Sequence, residues 1–136
     1  MPRLYLRVSC KGNPGPGRWA VALESNSVWE TRSGGERSTT NNRMELRAAL
    51  EGLQLLPPGS KAQVFTASDY LFQGITRWAK GWRSQAWVKK DGQPVANADL
   101  WRPLVELADA HQIQWVNAKG QKFEGLERAS KALEAK

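Results

Sequence analysis

The stretch Thr39-Thr40-Asn41-Asn42-Arg43-Met44-Glu45-Leu46 stands where the pattern of the chain changes from strand to helix. Three leucines then recur at intervals of four and three residues: Leu46, Leu50 and Leu53. This spacing places them on one face of an amphipathic helix. Polar residues that can cap a helix precede the pattern, and Pro57-Pro58-Gly59 ends it. The sequence therefore predicts a helix from Arg43 to Leu56.

Short runs typical of strands lie on the N-terminal side of this helix. The first is Leu4–Val8, and the cluster of glycine and proline at Ser9–Gly17 ends it with a turn. Trp19–Leu23 and Ser27–Thr31 are the next two runs, with Asn26 near the turn between them. We expect these runs to form a three-stranded meander.

The C-terminal side alternates between strands and helices. The predicted elements are a strand at Gln63–Thr66, a helix from Asp69 to about Lys80 capped by Ser68, a helix opened by Asn97 or Asp99, a strand at Ile113–Val116 and a helix at Glu127–Lys136. The order βββαβααβα predicts one α/β domain over residues 1–136, with helices packed on a mixed sheet.

Composition limits the classes of function. The 136 residues carry a net charge of +7 and one cysteine, so no internal disulfide framework is expected. No apolar run is long enough for a membrane span, and Met1–Leu4 does not begin a secretory signal, so we expect a cytoplasmic monomer. The positive charge favours an anionic partner. Several of the seven tryptophans lie near lysines and arginines, which favours nucleic acid over a membrane surface.

Two motifs resemble a known family. Cys10–Gly17 resembles the Gly-Asn-Pro-Gly turn of the type-1 ribonuclease H family, and Thr39–Leu46 resembles its Thr-Asn-Asn-Arg-Met-Glu-Leu helix start. Further segments match in order: Gln73–Trp78, Trp82, Pro94-Val95, Asn97–Trp101 and Lys119-Gly120. The resemblance implies a five-stranded mixed sheet with helices on both faces. It also implies cleavage of the RNA strand of RNA/DNA hybrids by two divalent metals, held by four carboxylates beside a loop histidine.

The positions of those catalytic groups depart from the family pattern. The resemblance places Arg7 at the first aspartate, Ala67 at the third carboxylate, Gln121 at the loop histidine and Ser130 at the last aspartate, and only Glu45 is kept. A fixed cation at Arg7 would repel a divalent ion. We therefore expect no bound metal or other cofactor, and a catalytically inactive protein that binds RNA/DNA hybrid or double-stranded RNA without cleaving it.

Arg7 and Glu45 invite a specific hypothesis. A guanidinium can bridge a carboxylate in a planar fork, so an Arg7–Glu45 ion pair is predicted to replace the metal and to join the first strand to the first helix. The alternative is that Arg7 points to solvent or to a phosphate.

The resemblance also implies a binding surface. Asn13, Asn41 and Asn42 match residues that contact the minor groove, where amides suit the 2′-hydroxyl of RNA. The remaining matches are Thr40 near a DNA phosphate, Trp78 in the DNA channel, and Trp82, Arg83, Trp87, Lys89 and Lys90 in a basic protrusion. Simpler roles remain open: Asn41 and Asn42 as helix caps, and Trp78 and Trp82 as packing partners.

Two other functions remain as alternatives. The first is a working metal-dependent ribonuclease H whose ligands have moved to Asp69, Glu45 and either Glu124 or Glu127. The second is a protein–protein scaffold that uses the same fold. Trp101 and Trp115 are expected in the core, Cys10 as a packed thiol, and Asp99 as a charge at a helix start.

Overall fold

The computed structural model describes residues 1–134 and contains one mixed sheet. Its strands are β1 (Arg3–Cys10), β2 (Gly15–Ser25), β3 (Val28–Thr39), β4 (Lys61–Thr66) and β5 (Gln112–Asn117). They lie in the order β3-β2-β1-β4-β5. The meander β1-β2-β3 is antiparallel, whereas β4 runs parallel to both β1 and β5. The predicted five-stranded mixed sheet is confirmed.

The helices cover both faces of this sheet. They are α1 (Asn41–Leu53), α2 (Asp69–Gln73), α3 (Ala79–Ser84), α4 (Ala98–Asp109) and α5 (Glu124–Glu134), with a π-helical turn at Gly74–Trp78 between α2 and α3. In the described part of the chain, no helix has the length and apolar character needed to cross a membrane.

The boundaries of several elements differ from the prediction. Helix α1 begins two residues earlier than Arg43 and ends at Leu53 instead of Leu56. Strand β3 extends to Thr39, because its polar second half pairs along the length of β2 although it shows no hydrophobic alternation. Helix α5 begins at Glu124, and the last two predicted residues of this helix, 135 and 136, lie outside the described residues.

The predicted helix at Asp69–Lys80 is one helical segment with a wide turn inside it. Gly74 begins that turn and packs against the indole of Trp101: a Cβ at Gly74 would lie 2.2 Å from a ring carbon of Trp101. The close approach requires glycine at this position. It also fixes α2 and α3 against α4, which carries Trp101.

Strand alternation decides which side chains of β1 reach which helix. Leu4 and Leu6 belong to the larger core cluster, which includes residues of α1 and α4. Tyr5 belongs to the smaller cluster under α5, together with Phe65 and Leu126. Arg7 has the parity of Tyr5, so the strand directs it to the α5 face of the sheet. This orientation determines the geometry of the candidate site.

Candidate functional site

Two cavities lie beside Arg7 of β1, near the C-terminal end of β4, and Arg7 lines both. The first, called here the carboxylate cavity, has a volume of about 380 Å³, and its lining includes Arg7, Asn41, Asn42, Glu45, Ala67 and Asp69. The second, called the cationic cavity, has a volume of about 350 Å³, and its lining includes Arg7, Gln121, Lys122, Glu127, Ser130 and Lys131.

The two cavities together gather all five positions that the resemblance singled out. Arg7, Glu45 and Ala67 line the first cavity. Arg7, Gln121 and Ser130 line the second. The tertiary structure thus brings into one region residues that lie more than a hundred positions apart in the chain.

Glu45 is the buried carboxylate of this region. Its residue is 6% exposed, and the Thr66 hydroxyl donates a hydrogen bond to Oε2 at 3.5 Å. Burial raises the pKa of Glu45 to about 7, while hydrogen bonds from Ser68 and Thr66 and the positive charge of Arg7 act in the opposite direction. Glu45 therefore exchanges a proton close to neutral pH.

The predicted Arg7–Glu45 ion pair does not form. Among the described residues, Arg7 makes no ion pair and no side-chain hydrogen bond. The reason is strand alternation: Arg7 points toward the face that α5 covers, whereas Glu45 approaches on α1 from the opposite face. The two side chains influence each other through charge and through the shared cavity only.

Asp69 is engaged by other groups. The Lys119 ammonium donates to Oδ2 at 2.8 Å and the Asn117 amide donates to Oδ1 at 3.0 Å. The hydrogen bond from Lys119 is the main cause of the lowered pKa of Asp69. Each carboxylate oxygen of Asp69 therefore already accepts one hydrogen bond, although the residue lines the carboxylate cavity.

The residues present do not fit the metal centre that the resemblance implies. Of the proposed relocated ligands, Glu124 pairs with Arg128 at 2.8 Å, and Glu127 lines the cationic cavity instead of the carboxylate cavity. Within residues 1–134, no group of three or more His, Cys, Asp and Glu side chains is arranged to hold a metal ion. Two divalent ions require several oxygen ligands, which this region does not supply.

The asparagines of the predicted binding surface lie at the rim of the carboxylate cavity. Asn41 and Asn42 are exposed in the first turn of α1. Thr40 is the N-cap, and its hydroxyl accepts a hydrogen bond from the Arg43 backbone N–H at 3.2 Å. Capping therefore falls to Thr40, not to the asparagines. Asn13 is also exposed, in the turn before β2.

The tryptophans separate into exposed and buried rings. Trp78 is 46% exposed and lies 6.0 Å, between ring centroids, from the partly buried Trp82. Trp82 also contacts Trp87 and Trp101. Trp87 is only 7% exposed and belongs to the main core cluster, as does the fully buried Trp101. The contact of Trp87 with nucleic acid stays a prediction, and the structure gives its ring a packing role inside the protein.

The basic protrusion is partly neutralised. Arg83 forms an ion pair with Asp109, and Lys89 lies 3.9 Å from Asp91. Lys90 is exposed. The cations that sequence reasoning missed lie elsewhere, at Lys119, Lys122 and Lys131. Lys122 precedes α5 and Lys131 lies in its last turn, and the packing of α5 over β1 brings both toward Arg7.

Several proteins named Ribonuclease H are similar to this chain over most of their length. The chain is 47% identical to Ribonuclease H of Erythrobacter litoralis (strain HTCC2594) over 112 residues, which cover 82% of this chain and 78% of the relative. It is 45% identical to Ribonuclease H of Legionella pneumophila (strain Corby) over 117 residues, 86% of this chain and 82% of the relative. Ribonuclease H of Bordetella pertussis is 43% identical over 122 residues, 89% and 79% of the two chains.

These relatives contradict the prediction of a catalytically inactive protein. Each bears the name of an enzyme and is similar to this chain over most of both lengths. The substitutions at Arg7, Ala67, Gln121 and Ser130 do not outweigh the similarity of the rest of the domain.

Solved structures agree on the fold. The structure described as LC9-RNase H1, a type 1 RNase H with the type 2 active-site motif, superposes with a TM-score of 0.80 at 28% identity, covering 96% of this chain and 69% of that one. A foamy viral protease-reverse transcriptase in complex with dsDNA superposes with a TM-score of 0.75 at 13% identity, covering 98% and 94%, which supports the fold alone. The family model described as RNase H matches residues 3–131. This chain therefore belongs to the ribonuclease H family.

Proposed function

We propose that the protein is a ribonuclease that acts on the RNA strand of RNA/DNA hybrids. The observation that carries the proposal is the carboxylate cavity, where two exposed amides, Asn41 and Asn42, stand beside the buried Glu45. The relatives named Ribonuclease H support the same activity. The amides of this open cavity can hydrogen-bond the hydroxyls of a polar polymer, and a titratable carboxylate beside them can transfer a proton.

Recognition of the RNA strand falls to the amides. A side-chain amide offers both a donor and an acceptor, and a 2′-hydroxyl requires one of each. Asn41 and Asn42 project from the N-terminal turn of α1, whose backbone N–H groups also favour an anion. A hybrid would therefore lie with its shallow groove over α1 and its backbone along the two cavities.

The chemistry near the strand would come from Glu45 and Arg7. Glu45 can hold or release a proton near neutral pH, and Arg7 can neutralise charge on a phosphate. LC9-RNase H1 is a type 1 RNase H that carries the type 2 active-site motif. This example supports the view that the active site can vary on this fold. Because the residues do not fit a two-metal centre, no step of the proposal passes through one.

The experiment follows binding and cleavage on one substrate. A hybrid labelled on its RNA strand is incubated with the purified protein in EDTA, Mg²⁺ or Mn²⁺, and each sample is divided between a mobility-shift gel and a denaturing gel. We expect cleavage that is confined to the RNA strand and absent with double-stranded DNA. The three ionic conditions report whether cleavage depends on a divalent ion.

The control is Glu45→Gln, which keeps the size of the side chain and its hydrogen bonds but cannot exchange a proton. Cleavage that is unchanged in this variant would come from a contaminant or from another part of the chain. A hybrid that is bound with its RNA strand intact under every condition would refute the proposed activity. Failure to bind any nucleic acid would leave the scaffold alternative.

A further inference from the structure

The proposed function uses only Arg7 of the cationic cavity, and the rest of the lining of this cavity has a composition of its own. Three cationic side chains line it, Arg7, Lys122 and Lys131, against one carboxylate, Glu127. The rest of its lining includes Gln121 and Ser130, which can donate hydrogen bonds, and the apolar side chains of Phe123 and Leu126. A concave surface with this balance of charge attracts an anion.

The cations of this cavity are not held in ion pairs within residues 1–134, although Glu127 shares their lining and Arg7 acts on Glu45 through charge. Among the residues that the structure describes, the side chains of Arg7, Lys122 and Lys131 take part in no ion pair. Arg43, by contrast, directs two nitrogens of its guanidinium at the carboxylate of Asp99. Arg7 is half-buried, so its position is held by packing while its charge stays available.

We propose that the cationic cavity binds one backbone phosphate of the nucleic acid, with the Arg7 guanidinium as the main donor. A guanidinium presents two parallel N–H groups that match two phosphate oxygens. Ser130 and Lys131 supply further donors from α5, and Lys122 supplies one from the loop before it. Arg7 stands at the position where the family pattern has a metal-binding aspartate, and it contacts the phosphate directly.

This inference rests on the proposed function, because it requires a nucleic acid that lies across both cavities. Arg7 lines the two cavities together, so a phosphate bound to it belongs to a strand that also passes Asn41 and Asn42. The contact needs no divalent ion. It therefore predicts binding in EDTA that depends on Arg7.

The test measures the affinity of the full chain for a labelled hybrid in EDTA at several salt concentrations, by fluorescence anisotropy. For Arg7→Gln we expect roughly a tenfold loss of affinity and a salt slope that is smaller by about one. Arg7→Lys keeps the charge without the fork and should recover part of the loss. Arg3→Gln is the matched control: it is on the same strand and face, about 13 Å away, and already binds Glu24.

A second measurement identifies the phosphate. Hybrids with one uncharged methylphosphonate at each position in turn, in either strand, are bound to the wild type and to Arg7→Gln. We expect one position at which the substitution weakens the wild type and leaves Arg7→Gln unaffected. Circular dichroism of the three variants, Arg7→Gln, Arg7→Lys and Arg3→Gln, confirms that they are folded.

The outcomes separate the two proposals. If the wild type binds no hybrid, the proposed function fails. If the wild type binds hybrid, but Arg7→Gln matches Arg3→Gln in affinity and salt slope and no methylphosphonate position discriminates, the cationic cavity is not a phosphate site and the proposed function stands. A methylphosphonate position that weakens the wild type but not Arg7→Gln supports the phosphate site. The strand that carries this position, RNA or DNA, is the strand that the site binds.

Discussion

Arg43 binds Asp99 through two hydrogen bonds, from Nη1 to Oδ1 at 3.0 Å and from Nη2 to Oδ2 at 2.8 Å. The pair joins the first turn of α1 to the first turn of α4. Arg43 also donates to the Asn97 side chain at 3.1 Å, and the Asn97 amide donates to the Tyr70 hydroxyl at 3.0 Å. This network holds the N-terminus of α1, and with it Asn41 and Asn42, at the rim of the carboxylate cavity.

Removal of the Asp99 charge should lower stability in a pH-dependent way. The hydrogen bond from Arg43 lowers the pKa of Asp99 in the folded protein below its unfolded value. The stabilisation is therefore present at pH values above the unfolded pKa near 4 and is lost as the pH falls through the folded pKa. We expect Asp99→Asn to cost about 1 kcal/mol at pH 7, since the pair is partly exposed, and little at the lowest pH. Urea unfolding at several pH values measures this.

Asp91→Asn is the control for that measurement. Lys89 lies 3.9 Å from Asp91, too far for a hydrogen bond, so this substitution should change stability little at any pH. Equal effects of the two substitutions would contradict the role of the Arg43–Asp99 pair.

Neutralisation of Glu45 should stabilise the protein at high pH. Burial raises the pKa of Glu45 to about 7, above the unfolded value of 4.5, so the folded state is penalised as the pH rises from 4.5 through 7. We expect Glu45→Gln to raise the free energy of unfolding by about 3 kcal/mol at pH 8 and to leave it nearly unchanged at pH 4. Chemical unfolding at both pH values tests this, and a variant that is less stable at pH 8 would show that the Glu45 charge is compensated.

Asn42→Ala should weaken the binding of RNA/DNA hybrid by roughly 1–3 kcal/mol, because the amide side chain would lose its hydrogen bonds to the RNA strand. Anisotropy titrations in EDTA give the affinity. Gln54→Ala, at the other end of the same helix and also exposed, should have no effect. If double-stranded DNA loses as much affinity as the hybrid, Asn42 does not recognise the 2′-hydroxyl.

The two tryptophans Trp78 and Trp87 should respond to truncation in opposite ways. Trp87 is buried, so Trp87→Ala should cost about 3–5 kcal/mol of stability. Trp78 is 46% exposed, so Trp78→Ala should cost about 1 kcal/mol or less. The same Trp78→Ala substitution should weaken hybrid binding by roughly 1–3 kcal/mol through loss of a stacking surface. Unchanged affinity of Trp78→Ala would limit that ring to packing against Trp82.

Glu127 is the anion of the cationic cavity, and its removal should strengthen binding. We expect Glu127→Gln to raise the affinity for hybrid by a factor of about two to five at low salt, because one exposed like charge no longer opposes the phosphate. The effect should fade at high salt. Glu106→Gln, on the exposed side of α4, is the control with the same change of net charge. An equal gain in both variants would reflect net charge alone.

The local pattern of the sequence was sufficient for the fold. The leucine spacing after Asn42 predicts α1, the glycine and proline cluster at Ser9–Gly17 predicts the β1–β2 turn, and the order of strands and helices predicts the mixed sheet. These features depend on interactions between near neighbours, which periodicity and turn residues record directly. The identities at the candidate site, Arg7, Glu45, Ala67, Gln121 and Ser130, were also readable from the motifs around them.

The tertiary structure alone decided which of these residues meet. Arg7 and Glu45 share a cavity without pairing because Arg7 points to the α5 face of the sheet, whereas Glu45 approaches on α1 from the other face. Which face of a strand meets which helix is decided by packing. The sequence also did not reveal that Trp87 is buried, because the same indole ring can pack in a core or form an exposed stacking surface. Lys122 and Lys131 join Arg7 only because Gly125 lets α5 approach β1 at Tyr5, a contact between segments more than a hundred residues apart.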